Sequence, residues 1–505
     1  MPLPQRTDPL LDRLTDEQLV AAGDSDPLVY IEAAPGSGKT TVAAQRFGCQ
    51  RFAPPGTDGN DPRPVLAVSF TKSATAELRR RVLADWGSVA VQRPNRIVTL
   101  DTIVGELLSA LLQTGRVAWP GGHTALEVND SWRVRVAHER RSEDSFLELR
   151  KGVVLVVTKN RRKKEVRPDP DQFRVAVEEG VATYDAVRSI LEQALKESKN
   201  REFVRERLRA VARAIIVDEI YDANHLDLAI VNLAAEAGLA ITLIGDPWQA
   251  LYSFRGAQPA LVPDLVKEAG FRSLPLTKSF RWRTQEQSDL ADGMRLGEGV
   301  ELPLGSLNDI DVALALEWKS LWALGPGVLP LAFGRATGRT DEAAATLLLN
   351  CFTLSVLNMR AVFVGDALTT LGIVDPSAVR RLEPALREVL AALQGSPEDK
   401  VVREAYAMLA TAVRSESQRE QPALHWQRLV RLKELRARVT STTAKMVSGL
   451  TVHQAKGREW DRVGVHLTPE EVDVLKGGLS KTDESHRPLY VALTRARMST
   501  VAVNP

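Results

Sequence analysis

Cysteine is scarce in this chain. Its 505 residues include two, Cys49 and Cys351, too far apart in sequence to make a disulfide framework or a metal-binding motif. They are expected to be buried free thiols of a reducing compartment. Charge of one sign is lacking as well: 66 Lys and Arg against 64 Asp and Glu leave a formal +2. A field spread over the whole surface is thereby excluded as a way of gathering a polyanion, and any such contact must come from local basic patches. No apolar run approaches the ~20 residues of a membrane-spanning helix. The start of the chain, with Pro2, Pro4, Asp8 and Asp12, has no signal-peptide pattern. The expected compartment is the cytoplasm, with no membrane partner. Internal repeats and low-complexity tracts are also missing.

What is present reads as ordinary globular protein, 44% hydrophobic and 26% charged. At roughly 150 residues per domain, the length predicts three or four domains. Apolar β-rich runs alternate with amphipathic helical stretches near the start. Residues 65–70 (Val-Leu-Ala-Val-Ser-Phe) predict a buried strand, followed by a helix from Ala74 to Leu83. Arg51 to Pro64 is a proline- and glycine-containing loop. From Leu107 to Arg209 the pattern becomes helical and charged, with one β-like interruption at Val153 to Val157. Strand signals return at Ala214 to Val217 and Leu239 to Ile244. Strands interleaved with helices imply a parallel α/β sheet split by a helical insertion. A second α/β region begins after Leu276, with candidate strands at Val328 to Phe333 and Arg360 to Val364. Residues 376–440 are helical throughout, and the end of the chain returns to α/β.

The most informative stretch is Ala33-Ala34-Pro35-Gly36-Ser37-Gly38-Lys39-Thr40, between an apolar strand and a helix-like segment. That setting is what a phosphate-binding P-loop needs, with Ala33 relaxing the first glycine of the strict pattern. Gly36 and Gly38 let backbone N–H groups curl around phosphates, toward which the following helix directs its positive end. Lys39 is placed to reach the β- and γ-phosphates and the Thr40 hydroxyl to ligate Mg²⁺. Val217-Asp218-Glu219 closes another apolar strand. Two acids there read equally as a helix N-cap when alone; beside a P-loop they read as a Mg²⁺-ligating aspartate and a water-orienting glutamate. Gly245 to Ala257 (Gly-Asp-Pro-Trp-Gln-Ala-Leu-Tyr-Ser-Phe-Arg-Gly-Ala) follows the next strand.

With that third block the chain resembles the UvrD/Rep/PcrA-like superfamily 1 DNA helicases, and the resemblance continues in the family's order from residue 14 to 497. Leu14 to Gln18 is similar to the Q motif, where Gln18 is expected to hydrogen-bond adenine. Ser69 to Ala74 and Thr99 to Ile103 resemble motifs Ia and Ib, implying DNA contacts by Phe70, Thr71, Lys72, Thr99 and Asp101. Leu276 to Arg281 resembles motif IV, with Phe280 stacking on adenine and Arg281 touching the γ-phosphate. Val452 to Trp460 resembles motif V, in which His453 serves DNA and Glu459 faces the nucleotide sugar. Leu489 to Arg497 resembles motif VI, with Arg495 as a second arginine finger. The resemblance further implies nucleotide contacts from Ala34, Ser37 and Thr41, a γ-phosphate sensor in Gln249, and DNA contacts from Tyr252, Phe254 and Arg255. Three positions depart from the family: Tyr221 stands for a glutamine, Asp101 for a histidine, and Thr41 for an arginine found in many relatives. None removes a group that hydrolysis needs. All bear on its coupling to DNA movement.

The implied fold is α/β, with two RecA-like P-loop motor domains and helical insertions. Residues 1–104 with 206–275 form the first motor, 105–205 a mostly helical 1B-like insertion, 276–374 with 441–505 the second motor, and 375–440 a reduced 2B-like insertion. By the resemblance, ATP with Mg²⁺ is hydrolysed in the cleft between the motors, Arg281 and Arg495 being supplied from the second. The expected substrates are single-stranded DNA and its junctions with duplex. The expected activity is a 3′→5′ helicase or translocase in repair, recombination or defence. The alternative is an ATP-switched DNA-sensing subunit that does not unwind and works with a partner nuclease or repair factor. The chain ends eight residues after Arg497, so no nuclease of its own is expected. Tyr252 and Phe254, two apart, share a face if on a strand, and either taken singly reads as core. Lys159-Asn160-Arg161-Arg162-Lys163-Lys164 reads either as a solvated face or as a duplex or strand contact of the insertion.

Overall fold

The computed structural model describes residues 14–52, 61–335, 338–395, 399–417, 429–442 and 445–504. Pro2, Pro4, Asp8, Asp12 and most of the Arg51 to Pro64 loop lie outside the described residues. Two compact units divide the chain, Met1–Arg281 and Trp282–Pro505.

Along the first unit run α1 (Asp16–Gly23), β1 (Leu28–Ala33), α2 (Lys39–Phe52), β2 (Val65–Ser69), α3 (Lys72–Trp86), β3 (Arg96–Thr99), α4 (Leu100–Gln113), β4 (Glu127–Asn129), β5 (His138–Arg150), β6 (Val153–Pro168), α5 (Pro170–Glu178), β7 (Val181–Thr183), α6 (Tyr184–Ala194), α7 (Ser198–Val211), β8 (Ala214–Asp218), α8 (His225–Glu236), β9 (Ala240–Gly245), α9 (Val262–Glu268) and β10 (Arg272–Leu276). Six of the strands form one parallel sheet in the order β10-β1-β9-β8-β2-β3. β2 and β8 are buried along their whole lengths. A strand covered on both faces needs an unbroken apolar run, which is why both were legible in the sequence. Val42, Phe47, Leu78 and Val82 of α2 and α3 pack one face. Val104, Leu107, Ile230 and Val231 of α4 and α8 pack the other. Because β1, β9 and β8 are neighbours, the three loops leaving their carboxyl ends lie side by side, where open α/β sheets carry ligands.

The stretch from 105 to 205 is not mostly helical, as expected from its charge pattern. Helices α5, α6 and α7 share it with the parallel pair β4–β7 and a long antiparallel hairpin, β5–β6. The β-like run at Val153 to Val157 opens β6, but the rest of the hairpin was missed because its outer half alternates charges with charges, leaving no apolar period to read. Lys151 (φ 49°) and Gly152 (φ 78°) make its turn, and Leu147 and Val154 beside it are buried in the core of the unit.

The second unit runs α10 (Gln285–Leu296), β11 (Val312–Ala315), α11 (Trp318–Ala323), β12 (Val328–Pro330), α12 (Thr340–Leu357), α13 (Val364–Leu371), α14 (Ala378–Leu393), α15 (Asp399–Arg414), α16 (Val430–Val439), β13 (Val447–Thr451), α17 (Val452–Ala455), β14 (Trp460–Val465), α18 (Pro469–Gly477), α19 (Arg487–Leu493) and β15 (Ala496–Ala502). Its five strands form a parallel sheet, β12-β13-β11-β14-β15. The expected strand at Arg360 to Val364 is absent: Phe363 adopts a left-handed conformation (φ 64°) and α13 starts at Val364. A run of five apolar-rich residues cannot by itself separate a strand from a buried helix start. The described helices between 340 and 439 close over a second core built from Leu348, Leu371, Leu386, Leu409 and Leu435.

Candidate functional site

The phosphate-loop segment leaves β1 at Ala33 and enters α2 at Lys39. Gly36 and Gly38 hold positive φ, +73° and +85°. A Cβ on Gly36 would stand 2.5 Å from Arg281 Cβ, and one on Gly38 2.5 Å from Gln18 Nε2. Both glycines are thus required by conformation and by close approach. Four successive carbonyls of the loop are bonded to protein donors. Ser37 Oγ donates to Ala34 O at 2.8 Å, Ser279 Oγ to Pro35 O at 2.7 Å, Phe280 N to Gly36 O at 2.9 Å and Gln18 Nε2 to Ser37 O at 2.9 Å. With the loop held by its oxygens, the first N–H groups of α2, which have no intrahelical acceptor, form the positive rim of an anion site.

Helix α1 ties this loop to the segment after β10. Thr15 and Gln18 form a capping box, in which Gln18 Oε1 accepts from Thr15 N at 3.1 Å. Both ends of the Gln18 amide are therefore engaged within the protein, so its first evident duty is to hold the loop. Its neighbour Glu17 accepts from the backbone N–H and hydroxyl of Thr277 at 2.8 and 2.6 Å. Those bonds, the hydroxyl's first, hold its carboxyl below the usual range. No pattern in the sequence marked Glu17 for this.

Arg281 was expected from the second motor. It is instead the last residue of the first compact unit, buried, because residues 277–280 are bonded to α1 and the phosphate loop of that unit. Phe280 beside it is 51% exposed, with the Lys278 ammonium 5.6 Å from its ring centre. Arg495, in the second unit, is 1% exposed and its Nε donates to Val491 O at 2.9 Å. Glu459 is exposed and His453 half-buried on α17.

Asp218 ends β8 at 2% exposure. Glu219 follows with φ 62° and ψ 45°, a left-handed conformation that costs a non-glycine residue on the order of 1 kcal/mol or more and concentrates at active sites. It turns the chain sharply at the end of β8. Tyr221, in place of the family's glutamine, bonds the Tyr30 hydroxyl at 2.7 Å inside the core. Burial, then Tyr221, pushes the Tyr30 phenol well above its ordinary value. A Cβ on Gly245 would meet the Tyr221 ring at 2.8 Å, so this tyrosine braces the ends of β1, β8 and β9. Gln249 Nε2 donates to the buried Asp246 at 2.7 Å. Thr40 and Asp218 offer a hydroxyl and a carboxylate, the hard-oxygen pair that suits Mg²⁺ when water and phosphate complete its shell.

The expected strand-contacting residues divide. Thr71 caps α3 through Ala74 N at 3.1 Å, Lys72 is exposed, Thr99 precedes α4, and Phe70 packs partly against the core. Tyr252 and Phe254 lie not on a strand but around the short helical turn Ser253–Arg255. The rings still meet, their centres 6.0 Å apart, because a tight turn folds them together beneath the Arg255 guanidinium, 5.4 and 5.6 Å from the two centres. Phe254 is 60% exposed. An exposed aromatic ring beside a cation is the kind of surface on which unstacked bases stack. Asp101 is engaged within the protein: Arg188 of α6 bonds both Asp101 of α4 and Asp227 of α8. Asp227 is 3% exposed along its side chain, and burial raises its carboxyl against the pull of Arg188. No sequence signal pointed to Arg188.

The basic run lies on β6, not on a helix. Arg141 pairs with Glu165, and Glu143 with Asn160, so Arg161, Arg162, Lys163 and Lys164 all oppose the single residue Ser142. Asp144 holds Arg161 at 3.2 Å. The other three project from this excursion, exposed.

Comparison with known proteins agrees over two stretches of the chain. The family model for the UvrD/REP helicase N-terminal domain matches residues 14–178 and 161–269, and that for the UvrD-like helicase C-terminal domain matches 397–501. DNA helicase II of Salmonella typhimurium is 27% identical over 354 residues, 66% of this chain and 45% of that protein. The Escherichia coli DNA helicase II is 24% identical over 352 residues, with the same coverage. ATP-dependent DNA helicase UvrD1 of Mycobacterium tuberculosis is 24% identical over 309 residues, 55% of this chain and 39% of that protein. The chain thus spans less than half the length of these relatives. A solved structure of unliganded Pif1 from a Bacteroides species aligns over 97% of this chain and 92% of that one at 12% identity, with a TM-score of 0.37, too low to bear on the fold. Among the described residues no helix is long and apolar enough to cross a membrane.

Proposed function

Since the chain belongs to the UvrD/REP helicase family, we propose that it is an ATP-dependent DNA helicase or single-stranded DNA translocase moving 3′→5′. The observation that carries this reading is the phosphate loop itself: four carbonyls tied back, two glycines in obligatory positive φ, and Asp218 and Glu219 at the end of a strand in the same sheet. Lys39 and the N–H groups of α2 bind the phosphates, Thr40 and Asp218 hold Mg²⁺, and Glu219 orients the attacking water. Bound Mg²⁺ supplies charge neutralisation at the β- and γ-phosphates. Gln249, which donates to Asp246, would respond to the γ-phosphate. Arg281 and Arg495 are the candidates for neutralising transition-state charge, a duty worth ~10³–10⁵ in rate. Tyr252, Phe254 and Arg255 would stack and track the single strand, with Lys72 and Thr99 on its backbone.

A second reading has its own support. Asp101, at a position assigned to DNA contact, is held by Arg188, which withdraws it from a strand and favours an ATP-switched DNA sensor serving a nuclease or repair factor. One experiment separates the two. With ATP and Mg²⁺, a helicase separates a duplex bearing a 3′ single-stranded tail and spares one bearing a 5′ tail. DNA-stimulated ATP hydrolysis without strand separation on either substrate supports the sensor. No hydrolysis stimulated by single-stranded DNA would sink both.

A further inference from the structure

Helix α3 carries three consecutive arginines, of which one is placed unlike the others. Leu78 and Val82, fully buried, fix the inner face of the helix. Arg81 stands at the edge of that face. Packing of α3 on α2 brings its guanidinium to the first turn of α2, where Nη1 donates to Thr41 Oγ1 at 2.5 Å. Its Nε donates to Glu77 Oε1 at 2.7 Å, one helical turn back. Glu77 also takes Arg80, and these bonds, Arg80's first, draw its carboxyl down to about 2. The anchor therefore stays ionised under any working condition. Arg80 reaches only Glu77 and is far more exposed.

Two of the five guanidinium N–H donors are engaged in this way. The side chain keeps 37% exposure, and among the described residues nothing is bonded to Nη2. A rigid fork, fixed from behind with one edge open, is the arrangement that captures phosphate oxygens. Its position selects which phosphate. A Cβ on Gly38 would stand 2.5 Å from Gln18 Nε2 and 3.7 Å from Thr41 Cβ, so Thr41 and Gln18 flank one glycine of the loop. Lys39 serves the β- and γ-phosphates. If the loop holds ATP with Gln18 at the adenine side, Thr41, which shares Gly38 with Gln18, falls on the α-phosphate and nucleoside side of Lys39.

We infer that Arg81 is a nucleotide-binding residue, contacting the α-phosphate and ribose end. The inference rests on the reading of this loop as an ATP site. Calorimetric titration of the full-length chain with ADP and with a non-hydrolysable ATP analogue tests it. In Arg81→Ala both dissociation constants should rise about tenfold or more, as loss of a charged hydrogen bond requires, and by the same factor, because both ligands share the α-phosphate. Arg81→Lys should recover part of the loss. Thr41→Val, which retains Arg81 and removes its oxygen anchor, should give a smaller rise in both. Affinities within twofold of the parent in Arg81→Ala would overturn the inference, even if thermal stability fell, since that marks a mere brace between helices. So would a loss confined to the ATP analogue, which would place Arg81 at the γ end. If the parent binds neither ligand, or Lys39→Ala binds both as well as the parent does, the ATP-site reading fails instead.

Discussion

Glu219 shows how much a single backbone conformation can decide. Its left-handed φ swings a carboxylate off the end of β8, a geometry that no propensity for Asp-Glu predicts. With that role, Glu219→Gln should leave ATP bound and hydrolysis reduced by orders of magnitude, whereas Lys39→Ala should weaken binding as well; single-turnover hydrolysis beside nucleotide titration checks the difference. Near-normal turnover in Glu219→Gln would remove it from catalysis. Glu77 gives a pH expectation with a definite sign. Its carboxyl is lowered in the folded protein to about 2, so its contribution is complete above the ordinary carboxylate range and is lost only as pH falls from there toward 2. Between pH 5.5 and 8 the Glu77–Arg81 anchor should not change, and nucleotide affinity measured across that interval should show no step from this group.

The insertion in the first unit combines the hairpin with helices, and one of them, α6, is clasped to α4 and α8. Arg188 is the clasp, and its removal leaves Asp227 buried without its cation. Arg188→Ala should cost about 3–5 kcal/mol of stability, read by denaturant unfolding, and Arg188→Lys should cost less. A change under 1 kcal/mol would mean that Asp227 reaches water or another partner. On the same insertion, the four-residue excursion of β6 presents cations beside which no aromatic ring lies among the described residues, which suits a phosphate backbone better than unstacked bases. Lys163→Ala together with Lys164→Ala should weaken DNA binding and flatten its dependence on salt, since fewer counterions are released. An unchanged affinity and slope would leave the run as a solvated face. The sequence displayed these charges, but only the strand register shows that four of them face one residue.

Each of the two compact units has its own sheet and core, which lets stability and nucleotide binding be tested apart. Leu348 is fully buried in the second unit, so Leu348→Ala should cost about 2–5 kcal/mol there while ADP affinity, which the proposed function assigns to residues 15–41 and their neighbours, stays within twofold. A large loss of ADP affinity would show that the two are coupled. Arg495 belongs to the second unit and is bonded to its own helix end. If it serves as an arginine finger, Arg495→Ala should depress turnover by orders of magnitude and leave DNA affinity without nucleotide near the parent's. Normal turnover would end that assignment.

The sequence alone determined the features that depend on local chemistry. A glycine-rich loop between an apolar strand and a helix is set by backbone freedom and by the need for N–H groups near phosphate, and both are written into Gly36, Gly38, Lys39 and Thr40. Parallel strands buried on both faces announce themselves as unbroken apolar runs, so β2, β8 and β9 could be read directly. The tertiary structure decided whatever depends on which distant side chain arrives. Arg281 joined the first unit because Ser279 and Phe280 bond the phosphate loop. Asp101 became the partner of Arg188, and Thr41 that of Arg81, because α6 packs against α4 and α3 against α2. A hydrogen bond forms within about 3 Å, and no spacing along the chain specifies that distance between residues 40 or more positions apart.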